Sequence, residues 1–577
     1  MRSIFSPSTH VAVFLASLAV ACPSIAEKVT DKMLTNPDAE DWLMFRANYQ
    51  SWGHSALDSI NSTNVDDLRL AWIWSMEPGT NQATPLVHDG VLYLPHPNDV
   101  ITAHDARNGN LLWEYRREIP EPHLESGNRT RNIAIYGDTI YHASFDAHVI
   151  ALNKDSGELI WETSVGNPAN ITHSAGPIVA GGRVFSGRTC GFKAPGGCFI
   201  AAHDADTGEE LWRRYVIPKP GEPGDETWGG LAWEKRKHAS VWMVGSYDPS
   251  LELLYWGTSG PAPSPESLRG SGDGAMLFTN STLALEPDSG EMAWYFQHLP
   301  RDNWDMDHTY ERILVDAKVR PDDDEVWVRN PDLPRGTQKL LTGIPGKSGL
   351  VWTLNRETGE FYWAKETVKQ NIIKSIDPAT GEVAINEDVI PEEGPDGFRD
   401  VCPAVFGGKD WPAGAYNPGM KTLFMSSFNT CMDVAAGDQD PRYLLTIKGF
   451  PLPEGPEGFG RLEAIHTETG ETLWKHQQPA PIYSVLSTGG GVIFAGDYGR
   501  RLKAFDAESG EVLWETILAA PVSGFPISYA VDGEQYIAVA TGGGAGMTRA
   551  LAMITGDAAS NGRGSSLVVF KLKAKRN

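Results

Sequence analysis

Cysteine is scarce, five residues in 577, and no two of them stand as CxxC or CxxCH. A covalently attached c-type haem is thereby excluded, and a cysteine zinc site is a poor fit. Basic runs are missing as well. Lys and Arg number 49 against 74 Asp and Glu, a formal charge of −25, with no local cluster of positive charge; nothing in the chain would recruit a nucleic-acid backbone. Long apolar runs are also absent. The single apolar stretch, Val11 to Ala21, follows Arg2 and leads to Ser24, Ile25 and Ala26 before Glu27. It is too short to span a bilayer and has the form of a cleaved secretory signal over residues 1–26. Residues 27–577 then keep Cys190, Cys198, Cys402 and Cys431 in an oxidising compartment, where two disulfides are expected, with three pairings possible.

What the chain has in quantity is turn formers and flat rings: 60 glycines, 39 prolines and 19 tryptophans. That composition favours an all-β architecture over long helices. A pattern close to A-x-D-x-x-T/S-G-E-x-x-W recurs through the sequence, at AHDARNGNLLW (103–113), ALNKDSGELIW (151–161), AHDADTGEELW (202–212), ALEPDSGEMAW (284–294), TLNRETGEFYW (353–363), AIHTETGETLW (464–474) and AFDAESGEVLW (504–514). Each copy reads as a strand, a polar turn ending in glycine, and a second strand closing on tryptophan, which is a hairpin. Where copies follow one another directly the period is roughly 40 to 50 residues, the length of a four-stranded propeller blade.

Further hairpins at SYDPSLELLYWG (246–257) and AYNPGMKTLFMSSFN (415–429) fill the long gaps, and LRLAWIW (68–74) supplies an N-terminal strand. The sum predicts one eight-bladed β-propeller over 27–577 rather than two domains. The last strand, SLVVFKL (566–572), is expected to pair with the N-terminal one and close the ring, removing the free edges. Insertions at Pro218–Arg236, Leu299–Arg329, Gln370–Pro412 and Met432–Phe459 are rich in Pro, Gly, Asp and Glu and read as surface loops, several of them roofing one end. A helical face is possible in the 360s.

Several blocks together are specific: QATPLVHDGVLYL (82–94), GSYDPSLELLYWGT (245–258), LPRDNWDMD (299–307), VCPAVFGGKDWPAGAYNP (401–418), NTCMD (429–433) and SYAVDGEQYIAVATGGG (528–544). With the tryptophan repeat they make the chain resemble the eight-bladed quinoprotein alcohol dehydrogenases, periplasmic enzymes that use pyrroloquinoline quinone (PQQ) and a bound cation. The likeness runs over nearly all of 27–577.

That resemblance implies the site. Asp305 falls on the catalytic base, and a carboxylate near the alcohol hydroxyl suits proton removal as hydride leaves carbon. Asp307 falls where lanthanide-using members carry an added ligand, so Asp305 and Asp307 are the implied metal residues, with Ca2+ favoured over a lanthanide. Trp242 matches the tryptophan on which the planar quinone stacks. Arg131 matches a carboxylate partner and Lys347 the partner of the reactive quinone oxygens. Gln82, Ser144, Thr172, Ser174, Thr189 and Cys190 complete the cofactor surroundings, with Trp411 and Asn429 as neighbours.

The chain also departs from the family. The stretch EPHLESGNRTRN (121–132) lacks the adjacent cysteines of the best-known members, the segment GRTCGFKAPGGC (187–198) lacks their glutamate ligand, and Gly260 stands at their asparagine ligand. These losses, with GDETWG (224–229) and PRDNWD, are similar to the periplasmic sorbose dehydrogenase branch. The same likeness implies disulfides Cys190–Cys198 and Cys402–Cys431. A sugar or polyol substrate follows, with electrons passed to a soluble cytochrome c or comparable acceptor. Two alternatives remain in view: a non-catalytic propeller that binds protein, and a lanthanide-dependent alcohol dehydrogenase.

Overall fold

The structure is a computed structural model, and it describes residues 27–119, 129–191, 194, 196–440, 443–543, 551, 554 and 564–574. The expected signal over 1–26 lies outside the described residues. The chain is all-β. It is laid out as successive antiparallel sheets of four main strands, spanning residues 86–116, 134–164, 178–215, 246–297, 313–366, 415–478 and 482–517. A further sheet joins Ile527–Val531, Glu534–Thr541 and Ser565–Leu572 to the N-terminal strand Leu68–Met76. The N- and C-terminal strands pair in antiparallel register from Leu68 opposite Leu572 to Met76 opposite Ser565.

Within a sheet, burial follows the order of the strands. In the first one, Leu86–His88 is buried throughout and Val91–His96 and Val100–Asp105 nearly so, while the fourth strand, Leu111–Arg116, alternates between covered and exposed positions. The sequence anticipates this: LVH, VLYLPH and VITAHD pack on neighbouring sheets through both faces, whereas LLWEYR needs apolar contact on one face only. Its buried member is Trp113.

The tryptophans act between sheets. Trp113 donates its indole N–H to the carbonyl of Lys154 at 2.9 Å, Trp161 to Ala205 at 3.0 Å, Trp212 to Pro287 at 2.9 Å and Trp474 to Ala507 at 3.0 Å. Each acceptor lies in the turn of the following repeat, and the ring covers that turn's glycine. A Cβ at Gly157 would lie 2.6 Å from Trp113, and one at Gly208 or Gly510 would lie 2.5 Å from Trp161 or Trp474. These glycines have φ between 72° and 74°, so the residue that makes the turn also leaves room for the ring. Trp72, on the N-terminal strand, covers Gly109 in the same way and donates to Ala106 at 3.2 Å.

Two expectations change. Residues 361–366 form the fourth strand of the 313–366 sheet, not a helix, and all but Glu366 are buried because Val328–Arg329 pairs along their outer edge. The segment Leu299–Arg329 is not simply a surface loop, since Ile313–Lys318 within it is the first strand of that sheet. Small sheets also stiffen the later insertions, Ile373–Ile376 with Val383–Ile385, and Met432–Asp440 between Arg399–Val401 and Leu445–Gly449. Among the described residues no helix is long and apolar enough to cross a membrane. Both disulfides form, Cys190–Cys198 and Cys402–Cys431, with Cα separations of 5.4 and 4.2 Å.

Candidate active site

In a four-stranded antiparallel sheet, the segment that enters the first strand and the connection from second to third lie at the same end. Gln82, Arg131, Thr172, Ser174, Trp242, Asp305, Asp307 and Trp411 precede first strands. Ser144 ends a second strand, and Thr189, Cys190, Lys347 and Asn429 sit on second-to-third connections. In every sheet, therefore, these residues fall at the same end, the one where its first strand begins.

Side-chain contacts join several of them. Lys347 Nζ donates to the Asp305 carboxylate at 2.9 Å and to the Asp305 carbonyl at 2.8 Å, and lies 3.7 Å from the Asp307 carboxylate. Trp242 donates its indole N–H to Asp307 Oδ2 at 3.0 Å, while the Gly260 N–H reaches Asp307 Oδ1 at 3.2 Å. The guanidinium of Arg131 sits 4.8 Å from the centre of the Trp242 ring and donates to the Ser174 carbonyl at 2.7 Å. Ser174 Oγ is 3.1 Å from Thr189 Oγ1 and donates to the Trp242 carbonyl at 3.3 Å. Thr172 pairs with Thr189 and Ile171 with Cys190 in a two-stranded ribbon, and the Cys190 amide donates to Ser240 Oγ at 3.1 Å.

The electrostatics follow from burial. Burial drives the Asp305 carboxyl well above the usual carboxylate range; Lys347 opposes the shift, and the charges of Asp307 and Asp302 add to it. Burial also raises Asp302. For Lys347 burial works against the ammonium, but Asp305 and Asp307 outweigh it and hold the proton on. Burial lowers Arg131 to about 9. An aspartate held this way is a better proton acceptor near neutral pH than a solvated one.

The residues present fit PQQ. Gln82 Oε1, Arg131 Nε and Asn429 Nδ2 are buried with no hydrogen-bond partner in the protein, and such atoms are costly to leave unpaired. A planar molecule bearing carboxylates and carbonyls, seated on the half-buried face of Trp242, suits the guanidinium and the amide donor. A hard cation suits the oxygen donors Asp305 and Asp307. Both cysteine pairs are closed as disulfides, and the Asp400, Cys402 and Cys431 cluster is such a bridge beside an exposed acid.

Two expected residues take partners outside the set above. The Ser144 hydroxyl donates to Asp146 at 2.5 Å, within the pairing of Asp146 with Arg117, and the Ser144 carbonyl lies 3.0 Å from His173 Nδ1. The Trp411 ring packs on Tyr483 and Phe525, with centroids 5.2 and 5.8 Å away. Two residues escape the sequence reading. Tyr310 meets Trp242 edge to face, centroids 5.6 Å apart, and donates its hydroxyl to Asp410 at 2.8 Å; Asp410 also accepts the Trp411 amide. Asp410 lies inside the block VCPAVFGGKDWPAGAYNP, while Tyr310 stands three residues beyond LPRDNWDMD.

Comparison with known proteins agrees with this geometry. The family model "PQQ: Glucose/ethanol/alcohol dehydrogenase, beta-propeller domain" matches residues 42–383 and 442–537. The quinoprotein alcohol dehydrogenase PedH of Pseudomonas putida is 30% identical over 581 residues, covering 94% of this chain and 93% of its own. Lupanine 17-hydroxylase [cytochrome c] of a Pseudomonas species is 29% identical, over 99% of this chain and 83% of its own. The solved structure of quinohemoprotein alcohol dehydrogenase ADHIIG from Pseudomonas putida HK5 superposes with a TM-score of 0.84 at 26% identity, over 96% of this chain and 84% of that one. A match that takes in Asp305, Trp242 and Lys347, inside a likeness running nearly end to end, makes this chain a member of the PQQ-dependent alcohol dehydrogenase family and an alcohol oxidoreductase.

Proposed function

We propose that the protein is a periplasmic PQQ- and Ca2+-dependent dehydrogenase that oxidises a hydroxyl on a sugar, polyol or similar alcohol, with Asp305 as general base. The observation that carries this reading is the buried contact of Lys347 with Asp305, set beside Trp242 and Arg131. PQQ, when bound, supplies the two-electron acceptor for hydride leaving the alcohol carbon. Asp305 takes the hydroxyl proton, and its burial supports the basicity this needs. Lys347 steadies that carboxylate and brings a fixed positive charge to where oxygen charge grows. Trp242 provides the stacking face, and Arg131 the carboxylate partner at its edge. Gln82, Thr172, Ser174, Thr189, Cys190 and Asn429 line the cofactor, while Asp305 and Asp307 are the protein's ligands for the cation.

The sheets described above are read as eight blades of one domain over 27–577, closed where Leu68–Met76 meets Ser565–Leu572. Electrons leave to an external acceptor, a soluble cytochrome c or similar carrier. The leader-like residues 1–26 support the periplasmic assignment, and the sorbose-dehydrogenase-like PRDNWD and GDETWG segments support a sugar or polyol substrate.

Purified protein reconstituted with PQQ and Ca2+ is expected to reduce an artificial dye with a sugar, polyol or simple alcohol. Asp305→Asn should lower kcat by about 10²- to 10⁴-fold while leaving PQQ binding in place. Absence of both PQQ binding and dye reduction across such a panel would overturn the proposal. La3+ in place of Ca2+ decides the ion: higher turnover with La3+ would assign the protein to lanthanide chemistry.

A further inference from the structure

The loop that carries Asp305 is held by a carboxylate that is not among the residues assigned above. Asp302 is buried, 1% exposed. Its Oδ1 accepts the Trp304 amide at 2.8 Å and its Oδ2 the Met306 amide at 2.8 Å. Asp305 lies between those two amides, and its φ of 65° is in the left-handed region. A non-glycine residue holds that conformation at a cost of about 1 kcal/mol or more, and only where its surroundings fix it. The Asp302 carboxylate spans the strained residue from both sides.

It is anchored in turn. Asn280 Nδ2 donates to Asp302 Oδ2 at 2.9 Å, and Arg269 Nη1 donates to the Asp302 carbonyl at 3.1 Å. Trp304, fully buried, fixes the near side of the loop by donating its indole N–H to the Val389 carbonyl at 2.9 Å. Space for Asp302 comes from Gly260, where a Cβ would lie 2.3 Å from Asp302 Oδ2. Gly260 thus makes room for this clamp, while its own N–H holds Asp307.

We infer that Asp302 is a positioning residue: by binding the amides on either side of Asp305 it holds the base in the orientation that meets Lys347 and the alcohol. This rests on the reading of Asp305 as base. An asparagine at 302 presents one acceptor oxygen where the clamp uses two, and an alanine presents none, so the two substitutions grade the effect. The experiment compares wild type, Asp302→Asn, Asp302→Ala, Asp305→Asn and the double variant Asp302→Ala/Asp305→Asn, each loaded with PQQ and Ca2+. Cofactor loading is read from its absorption spectrum, and kcat and KM are measured separately.

In Asp302→Ala, kcat should fall by about 10- to 100-fold, with KM and the cofactor spectrum close to wild type, and Asp302→Asn should fall between. In the double variant, Asp302→Ala should cost nothing beyond Asp305→Asn, because it acts through that residue. Wild-type kcat in Asp302→Ala, or a further loss in the double variant, overturns the inference while leaving Asp305 as base. Wild-type kcat in Asp305→Asn overturns both. If Asp302→Ala fails to fold, Asn280→Gly, which removes the anchor of the carboxylate and accepts the φ of 50° at this position, is expected to lower kcat in the same direction with KM unchanged; an unchanged kcat there counts against the clamp.

Discussion

Lys347 lies between two acids, 6% exposed, and it is their one basic side-chain partner among the ion pairs of the described residues. Lys347→Met therefore leaves Asp305 and Asp307 uncompensated, a loss of about 3–5 kcal/mol for breaking a buried pair. The expected outcome is a clear drop in melting temperature of the cofactor-free protein together with loss of turnover. Added Ca2+ should recover part of the stability, since a cation can replace the missing charge. Trp242 has two separable duties, the ring face and the indole N–H that holds Asp307 at 3.0 Å. Trp242→Phe keeps a face and removes the donor. PQQ affinity should fall only a few-fold, about 1 kcal/mol, while the Ca2+ concentration for half-maximal activity rises; a titration of each ligand separates the two effects. Asp305, Lys347, Trp242 and Arg131 entered the candidate set through the family resemblance, and their contacts place them side by side. Tyr310, Asp410 and the clamp at Asp302 were not legible in the sequence, since each acts through a partner the sequence does not place: Tyr310 meets Asp410 across 100 residues. Ser144 shows the reverse, because nothing local reveals that Asp146, two residues on, takes its hydroxyl.

At the scale of the sheet, the repeat disclosed its hairpins but not the direction in which its tryptophans point. Trp161 serves the turn after it, through Ala205 and Gly208, and so couples two sheets that share no hydrogen-bonded strand pair. Gly208→Ala combines a φ of 74° with a Cβ 2.5 Å from the ring. Left-handed strain of about 1 kcal/mol and overpacking of about 1–3 kcal/mol then add. Gly137, at φ 60° with nothing within 4 Å of a Cβ, isolates the strain alone. Chemical denaturation of the two alanine variants should show Gly208→Ala destabilised by at least about twice as much as Gly137→Ala; equal losses would mean that the ring contact contributes nothing. Trp363 marks the limit of the repeat as a guide. Its indole nitrogen is buried without a partner, and Val326 rather than the ring stands closest over the next glycine, 2.5 Å from a Cβ at Gly470. Val326 arrives on the segment that had read as a surface insertion, so the exception and the misread insertion have one cause.

For the whole molecule, the acidic excess and the length said little, and the order of strands says more. The N-terminal strand joins a sheet whose other members come from the far end of the chain, with Ser565–Leu572 between Leu68–Met76 and Glu534–Thr541. Leu567, Val568, Val569 and Phe570 are buried there. At about 1.5–3 kcal/mol for each large apolar side chain, the four together bring about 6–12 kcal/mol, comparable with the entire stability of about 5–15 kcal/mol typical of a domain. A chain ending at residue 564 would lose that burial and expose two unpaired edges, on the N-terminal strand and on Glu534–Thr541. The proposed ring closure predicts that such a protein no longer unfolds in one cooperative step and self-associates on a sizing column. A peptide of residues 565–574 added in trans should then restore the monomer, by supplying the missing strand to both edges. A truncated protein that stays monomeric with an unchanged melting temperature would show that the joined sheet does not hold the ring together.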